Sequence, residues 1–244
     1  GTATSKAARD IRAKMITIAA HDLGVEKDQI EYADGEFSVR GNPASKLTWP
    51  EICHIAHKQY HRMPPGHELG LQSYAVQQVP GAGGLPDENN EVPLYPCFSF
   101  QAHVPLVEID PDTCKVKVHD YFIGHDCGTA INPDIVRGMI IGGVAHGIGA
   151  ALYEKFEYDA DGQLLSGTFV DYLLPSAHEI PPVVDSEHCT PSPMTSLGQK
   201  GSGEGGYLGA PAAIASAVND ALAPFDIEIN ELPIRARDIE AALF

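Results

Sequence analysis

The feature that most narrows what this chain can fold into is a glycine cluster where a helix is due. Residues 134–153, following Asn132-Pro133, read as one long apolar helix that contains Gly142-Gly143-Val144-Ala145-His146-Gly147-Ile148-Gly149. Glycine inside a helix costs up to about 1 kcal/mol against alanine. Such a density requires a compensating contact, either a neighbouring backbone or a flat ligand in close approach. Under tight helix packing His146 is a satisfied core histidine; under a ligand it gains a role. The strand and GxGxxG spacing of a dinucleotide fingerprint are missing. His146 and the glycines also break the apolar run, which therefore does not read as a membrane span.

A second cluster is Lys200-Gly201-Ser202-Gly203-Glu204-Gly205-Gly206, ahead of a helix starting near Ala210. A carboxylate among glycines is uncrowded, and the backbone beside it can approach a ligand closely. The N–H groups of the coming helix start can hold an anion. Partial desolvation of Glu204 would make it more basic and suit it to general-base work. The plainer reading is a turn whose glutamate favours a helix N-terminus. Because the lysine precedes the glycines, this is not a phosphate-binding P-loop.

Around these clusters the pattern predicts an α+β chain of mixed helices and small sheets, in three parts. Residues 1–62 form a helix-hairpin-helix segment. Ala8, Ile11, Met15 and Ile18 mark its first helix, stopped at Leu23-Gly24. Ile30–Tyr32 and Phe37–Val39 flank a turn, and Thr48-Trp49-Pro50-Glu51 caps a helix running to about Tyr60. Residues 63–97 lack periodicity and read as an extended arm lying over another surface. Residues 98–244 form a further subdomain, with a hairpin turning at Asp110-Pro111-Asp112-Thr113 and a second at Asp159-Ala160-Asp161-Gly162. Strands are expected near 164–171, 183–185 and Ile227–Ile229, and helices over 211–223 and at the end of the chain. There is no internal repeat.

Composition removes several function classes. The 33 acidic against 16 basic residues give a net charge of −17, which repels phosphate backbones and anionic lipid, so neither nucleic acid nor membrane is an expected partner. Hydrophobic residues make up 43% of the chain beside 24 glycines and 19 prolines, the signature of a folded chain rich in turns. Cys53, Cys97, Cys114, Cys127 and Cys189 are scattered without a CxxC pair, so a disulfide framework or zinc ribbon is not expected and a reducing, cytoplasmic compartment is. The start, Gly-Thr-Ala-Thr-Ser, carries no initiating methionine or signal sequence, pointing to a chain processed, split or cut from something longer.

His54, His57 and His61 share one helical face at ligand-like spacing, but no nearby carboxylate completes a catalytic set. Exposed histidines on an amphipathic helix are the plainer reading, a zinc hydrolase is a distant one, and no metal ligand is assigned. His125-Asp126-Cys127 is a poor Cys–His nucleophile pair, since adjacent strand residues point to opposite faces.

Three blocks together resemble the molybdenum hydroxylase family, which includes xanthine dehydrogenase, aldehyde oxidoreductases and aerobic carbon monoxide dehydrogenase. They are Val107-Glu108-Ile109-Asp110-Pro111-Asp112-Thr113 with Lys115-Val116-Lys117-Val118; His125-Asp126-Cys127-Gly128, Ile131-Asn132-Pro133 and Gly142–Gly149; and Lys200–Glu204 with Ala212–Ala221. Their order is similar to the C-terminal part of the molybdopterin-binding large subunit, over essentially the whole chain. The resemblance implies that Glu204 is the active-site base, taking the proton from a molybdenum-bound hydroxyl that attacks an electrophilic substrate carbon. Hydride then passes to a terminal sulfido ligand as Mo(VI) becomes Mo(IV), and the oxygen delivered derives from water. Lys200, Gly201, Ser202, Gly203, Gly143 and His146 would line the cofactor, a molybdopterin expected in its cytosine dinucleotide form. Electrons would leave toward [2Fe-2S] clusters and FAD on partner chains, an iron–sulfur subunit and an FAD subunit.

The departures from the family pattern are specific. Met139 and His146 stand where glutamines are usual, and Cys114 takes a hairpin position usually given to glycine, where positive φ costs a non-glycine residue roughly 1 kcal/mol. The family's upstream cofactor loops, substrate-facing aromatic segment and cluster-binding domains are absent from this chain. The expectation is therefore one wall of a site, active only with the other part of the molybdopterin-binding subunit and with partner chains. The alternative is a non-catalytic structural subunit whose cofactor site has decayed. Purine, N-heteroaromatic, aldehyde, thioester-linked aromatic and carbon monoxide substrates all fit the resemblance.

Overall fold

The computed structural model describes residues 1–79, 83–92 and 97–244. Its contacts divide the chain into two units, Gly1–Gln78 and Val79–Phe244.

In the first unit, helix α1 (Thr2–Leu23) is closed by Gly24 in the left-handed conformation. A three-stranded antiparallel sheet follows, β1 (Ile30–Ala33), β2 (Glu36–Val39) and β3 (Asn42–Thr48), and then α2 (Trp49–Lys58). The expected capping box is formed: the Glu51 N–H donates to the Thr48 hydroxyl, and the Thr48 N–H donates back to the Glu51 carboxylate at 2.7 Å. Met15, Ile18, Phe37, Ile52 and Ile55 are fully buried and make the core. Ala8 is exposed, so the apolar stripe of α1 engages only in its second half.

The sequence pattern missed β3. Its only buried residue is Leu47 and it carries Pro43, so it shows no alternation; the turn at Arg40-Gly41 and the pairing of Val39 with Asn42 make it a strand. The beginning of the expected arm is tied to this same unit. The Gly70 N–H donates to the Ala56 carbonyl at 2.7 Å, and the Ser73 hydroxyl to Asp10 at 3.1 Å. The described residues between 63 and 99 contain neither helix nor regular strand, while Pro80 and Gly81 of the expected arm lie outside the described residues.

In the second unit, β4 (Phe100–Ile109) and β5 (Val116–Asp126) form a long antiparallel hairpin. Its turn is held by Asp110, whose carboxylate accepts the N–H groups of Asp112 and Thr113 at 2.9 and 3.0 Å. Cys114 does adopt positive φ there, at 54°, and is buried. Helix α3 (Pro133–Leu152) then crosses over to β6 (Val183–Glu187), which pairs in parallel with β5. Asn132 caps α3 through its side chain. After the glycine loop come α4 (Gly205–Leu208), α5 (Ala210–Leu222) and α6 (Ala236–Leu243).

One side of this sheet, through Val118, Tyr121 and Ile123, shares a core with Ile140, Val144 and Ile148 of α3 and Ile214 and Val218 of α5. By length and composition alone α3 could cross a membrane, with a mean hydropathy of 1.5 over its window. Its packing makes it the central core helix. The other side of the sheet leaves Phe100, Val104, Leu106, Phe122 and Val184 exposed.

Two expected strands are not strands. Around 164–171 only Leu164 bridges, to Tyr158, and the chain then turns at Thr168–Tyr172 with Phe169 and Val170 exposed. At Ile227–Ile229 the backbone finds a side chain in place of a partner strand. The Asn219 carboxamide accepts from the Ile229 N–H at 2.9 Å and donates to its carbonyl at 3.1 Å.

Contact explains Gly143 and Gly147 of α3. A Cβ on Gly143 would lie 2.7 Å from the backbone of Gly206 and Tyr207, and one on Gly206 would lie 2.0 Å from the Ile140 carbonyl oxygen. A Cβ on Gly147 would meet the Ala210 Cβ at 2.3 Å, whereas Gly138 and Gly142 face open space. Gly143→Ala and Gly206→Ala should each lower stability by roughly 1–3 kcal/mol through overpacking. Gly138→Ala should raise it by roughly 0.5–1 kcal/mol by relieving helix entropy. Urea unfolding of the three variants checks this, and similar shifts for all three would contradict the contact explanation.

Candidate functional site

The glycine loop is held at both ends and open at Gly201 and Gly203. At its start, the Lys200 ammonium lies 3.1 Å from the Asp126 carboxylate, and both side chains are largely buried, at 6% and 10% exposed. The same ammonium sits 5.3 Å above the Phe100 ring, a cation–π contact. The resemblance put Lys200 on the cofactor edge; in the structure its ammonium pairs with Asp126. The other Asp126 oxygen accepts N–H bonds from Gly128 at 2.8 Å and Thr190 at 3.1 Å. Backbone bonds follow the same lines, from the Lys200 N–H to the Cys127 carbonyl at 2.8 Å and from the Thr129 N–H to the Gly198 carbonyl at 3.1 Å. Three segments thus converge on one carboxylate at the end of β5.

At its far end, the loop passes into α4 through Gly205 and Gly206, which lie against Gln101 and Ile140. Among the described residues nothing stands within 4 Å of where side chains on Gly201 and Gly203 would begin. The Ser202 hydroxyl is buried and has no hydrogen-bond partner among the described residues. Glu204 is the N-cap residue of α4, with φ −99° and ψ 0°, and its side chain makes no capping bond. It is exposed. The partial desolvation expected for it is therefore not supplied by the described residues.

His146 is not the satisfied core histidine of the packing alternative. It is exposed and stacks on Tyr207, with ring centroids 4.3 Å apart and planes at 22°. Tyr207 follows Glu204 by one helical turn, its N–H donating to the Glu204 carbonyl at 2.9 Å. The junction of α3 with α4 therefore gathers Gly143, His146, Tyr207 and Glu204. At the next junction His103 donates to, or accepts from, the Tyr121 hydroxyl at 2.9 Å and fills the space beside Gly209. Burial lowers the His103 pKa and raises that of the Tyr121 phenol, which favours both neutral forms.

Sequence reasoning missed Tyr207 and Asp126. Tyr207 carries no motif, and Asp126 entered only as a neighbour of Cys127 and as part of a block that resembles the family, with no role of its own. A buried lysine needing a counter-ion was the available signal. His54 and His57 are exposed on α2, but the helix ends at Lys58 and His61 lies in a separate 3-10 turn. Among the described residues, no group of three His, Cys, Asp or Glu side chains comes together as a metal site.

Fold and loop together define a class: an α+β domain that presents a carboxylate on an open glycine loop at a helix junction. Residues 1–181 match the molybdopterin cofactor-binding domain family. The chain belongs to that family, as a part of a molybdenum hydroxylase large subunit. It is 37% identical to the nicotine 6-hydroxylase large subunit of Paenarthrobacter nicotinovorans, over 96% of this chain and 27% of that one. It is 35% identical to the carbon monoxide dehydrogenase large chain of Afipia carboxidovorans, over 91% of this chain and 26% of that one. Among solved structures, quinoline 2-oxidoreductase from Pseudomonas putida 86 superposes with a TM-score of 0.74 at 34% identity, covering 98% of this chain and 28% of the other. The chain thus spans about a quarter of the length of these relatives.

The Asp126 carboxyl carries a pH signature. Burial pushes its pKa up, but the bonds from Gly128, Thr190 and Lys200 outweigh burial and hold it far below the usual carboxylate range. A depressed native pKa contributes stability that is complete above the unfolded value, about 3.9, and is lost as pH falls below it. Asp126→Asn, which leaves Lys200 buried and unpaired, should cost roughly 3–5 kcal/mol at neutral pH. In urea unfolding, the gap between wild type and variant should hold steady from about pH 7 to 5 and narrow below about pH 4. A gap unchanged down to pH 3 would show that the fold does not hold this carboxylate ionised.

Proposed function

We propose that this chain supplies the catalytic base and one wall of the cofactor site in a molybdenum hydroxylase, an enzyme hydroxylating a small organic substrate with oxygen drawn from water. The observation that carries the reading is Glu204 itself, exposed on a loop whose flanking Gly201 and Gly203 have open space in front of them. The same loop offers the Ser202 hydroxyl, buried and without a partner among the described residues, as a hydrogen-bonding group for a polar ligand. These residues fit a flat, oxygen-rich cofactor, and His146, stacked on Tyr207, offers an imidazole edge at the same junction.

When bound, the molybdopterin would supply the two-electron redox chemistry. The cytosine dinucleotide form, with [2Fe-2S] clusters and FAD on partner chains, belongs to this proposal; several relatives are named as a large subunit, large chain or complex subunit. This chain's own work is proton transfer and positioning. Glu204 accepts a proton on its carboxylate from the attacking hydroxyl, a role that glutamine cannot fill. Gly201 and Gly203 let the backbone come close, and Ser202 orients what binds there. The exclusion of water that would sharpen Glu204's basicity falls to other parts of the large subunit.

The test is Glu204→Gln in the assembled enzyme, assayed on nicotine, quinoline and carbon monoxide, the compounds in the relatives' names. Turnover should fall by at least a thousandfold while molybdenum content stays within error of wild type. Wild-type turnover in the variant would remove Glu204 from the role.

A further inference from the structure

The glycine loop carries its functional carboxylate with little packing beside it. Among the described residues nothing stands within 4 Å of a Cβ placed on Gly201 or Gly203, and Glu204 is exposed; only the Ser202 hydroxyl of this stretch is buried. The strongest constraints on the loop lie at its ends. The far end is locked by backbone contact, since Gly206 sits where even a Cβ would strike the Ile140 carbonyl. The near end is locked by charge. Lys200 is buried, its ammonium reaches Asp126 at 3.1 Å, and Asp126 ends strand β5 of the core sheet.

We infer that Asp126 is a positioning residue for Glu204, its buried ion pair with Lys200 fixing the near end of the glycine loop and so setting where the Glu204 carboxylate stands. Only residues 201–205 separate Lys200 from Gly206. Extended chain spans at most about 3.6 Å per residue, so so short a span passes a shift of Lys200 on to Glu204 with little slack. A charged pair suits this work better than an apolar contact, because it specifies one partner and one geometry. Asp126 meets Lys200 through one oxygen and the Gly128 and Thr190 N–H groups through the other, which ties the 126–129 and 190–192 segments to the same point. A reactive group held to within a fraction of an ångström needs such second-layer support.

This inference rests on Glu204 being the base, and the experiment separates the two. In the assembled enzyme, Asp126→Asn, Lys200→Met and the double variant are compared with wild type. The measurements are urea midpoint, hydrogen–deuterium exchange across 200–206 with α3 as internal reference, molybdenum content, and kcat and KM on whichever of nicotine, quinoline or carbon monoxide is turned over. Asp126→Asn alone should lower the midpoint and speed exchange across 200–206 at least tenfold. The double variant, with no unpaired buried charge, should recover most of the midpoint. Its exchange across 200–206 should stay fast, and kcat should stay at least tenfold down with KM within twofold and molybdenum retained.

Recovery of kcat together with stability would reduce the pair to a structural staple and overturn the inference. So would exchange across 200–206 that is unchanged, or that rises only in step with α3. Should the double variant remain unstable, that comparison with α3 still decides. If Glu204→Gln retains turnover, the assignment of the base falls, while exchange at 200–206 still reports whether Asp126 fixes the loop.

Discussion

The second unit depends on one close contact, the approach of α4 to α3 at Gly206 and Gly143. A Cβ at either position would enter the opposing backbone. Because both positions are glycine, α4 can lie directly on α3, and α5 follows it into the groove where Ala210 meets Gly147. The core then closes around Ile140, Val144, Ile148, Ile214 and Val218, all fully buried. The penalty for glycines in a helix is offset by this packing. The same contact sets the start of α4, and with it the place of Glu204 at its N-cap and of Tyr207 against His146.

Electrostatics complete what packing begins. A net charge of −17 would make a buried lysine easy to pair anywhere on the surface, yet Lys200 is held inside against a single carboxylate. Removing either partner strands the other, whereas removing both is tolerable. The pair therefore adds specificity of geometry more than net stability. Surface pairs such as Arg40–Glu31 and Lys46–Glu36 are largely solvated and contribute about 0–1 kcal/mol each.

Elements with a strong local signal were legible in the sequence. The capping box at Thr48 and Glu51, the Gly24 stop, the turn at Asp110 and the long helix after Asn132 each carry their cause within a few residues. What was not legible depends on distant partners. β3 has one inward apolar residue and exists through its pairing with β2. Ile227–Ile229 alternates like a strand but is satisfied by the Asn219 side chain. Glu204 was legible as a carboxylate among glycines, and the resemblance gave it a role. The partner that anchors its loop was not, because Asp126 and Lys200 are separated by 74 positions. The glycines of α3 were visible as an anomaly, but only the structure shows that Gly143 is approached by the chain's own backbone and Gly147 by Ala210.

The exposure of Glu204 bears on how the reaction could be run. A carboxylate in water is a weak base and is solvated at its lone pairs; a hydroxylase base gains strength when that water is removed. Among the described residues none covers Glu204, and Phe100, Val104, Leu106, Phe122 and Val184 are likewise exposed on one side of the β4–β5–β6 sheet. Monomeric proteins seldom leave contiguous apolar surface of this kind open. The relatives are about four times longer than this chain, so most of their large subunit lies outside it. On this view the division of labour is physical. If Glu204 is the base as proposed, this chain would fix its position through the two anchored ends of its loop, and the low dielectric in which it acts would be brought by surfaces that close over it.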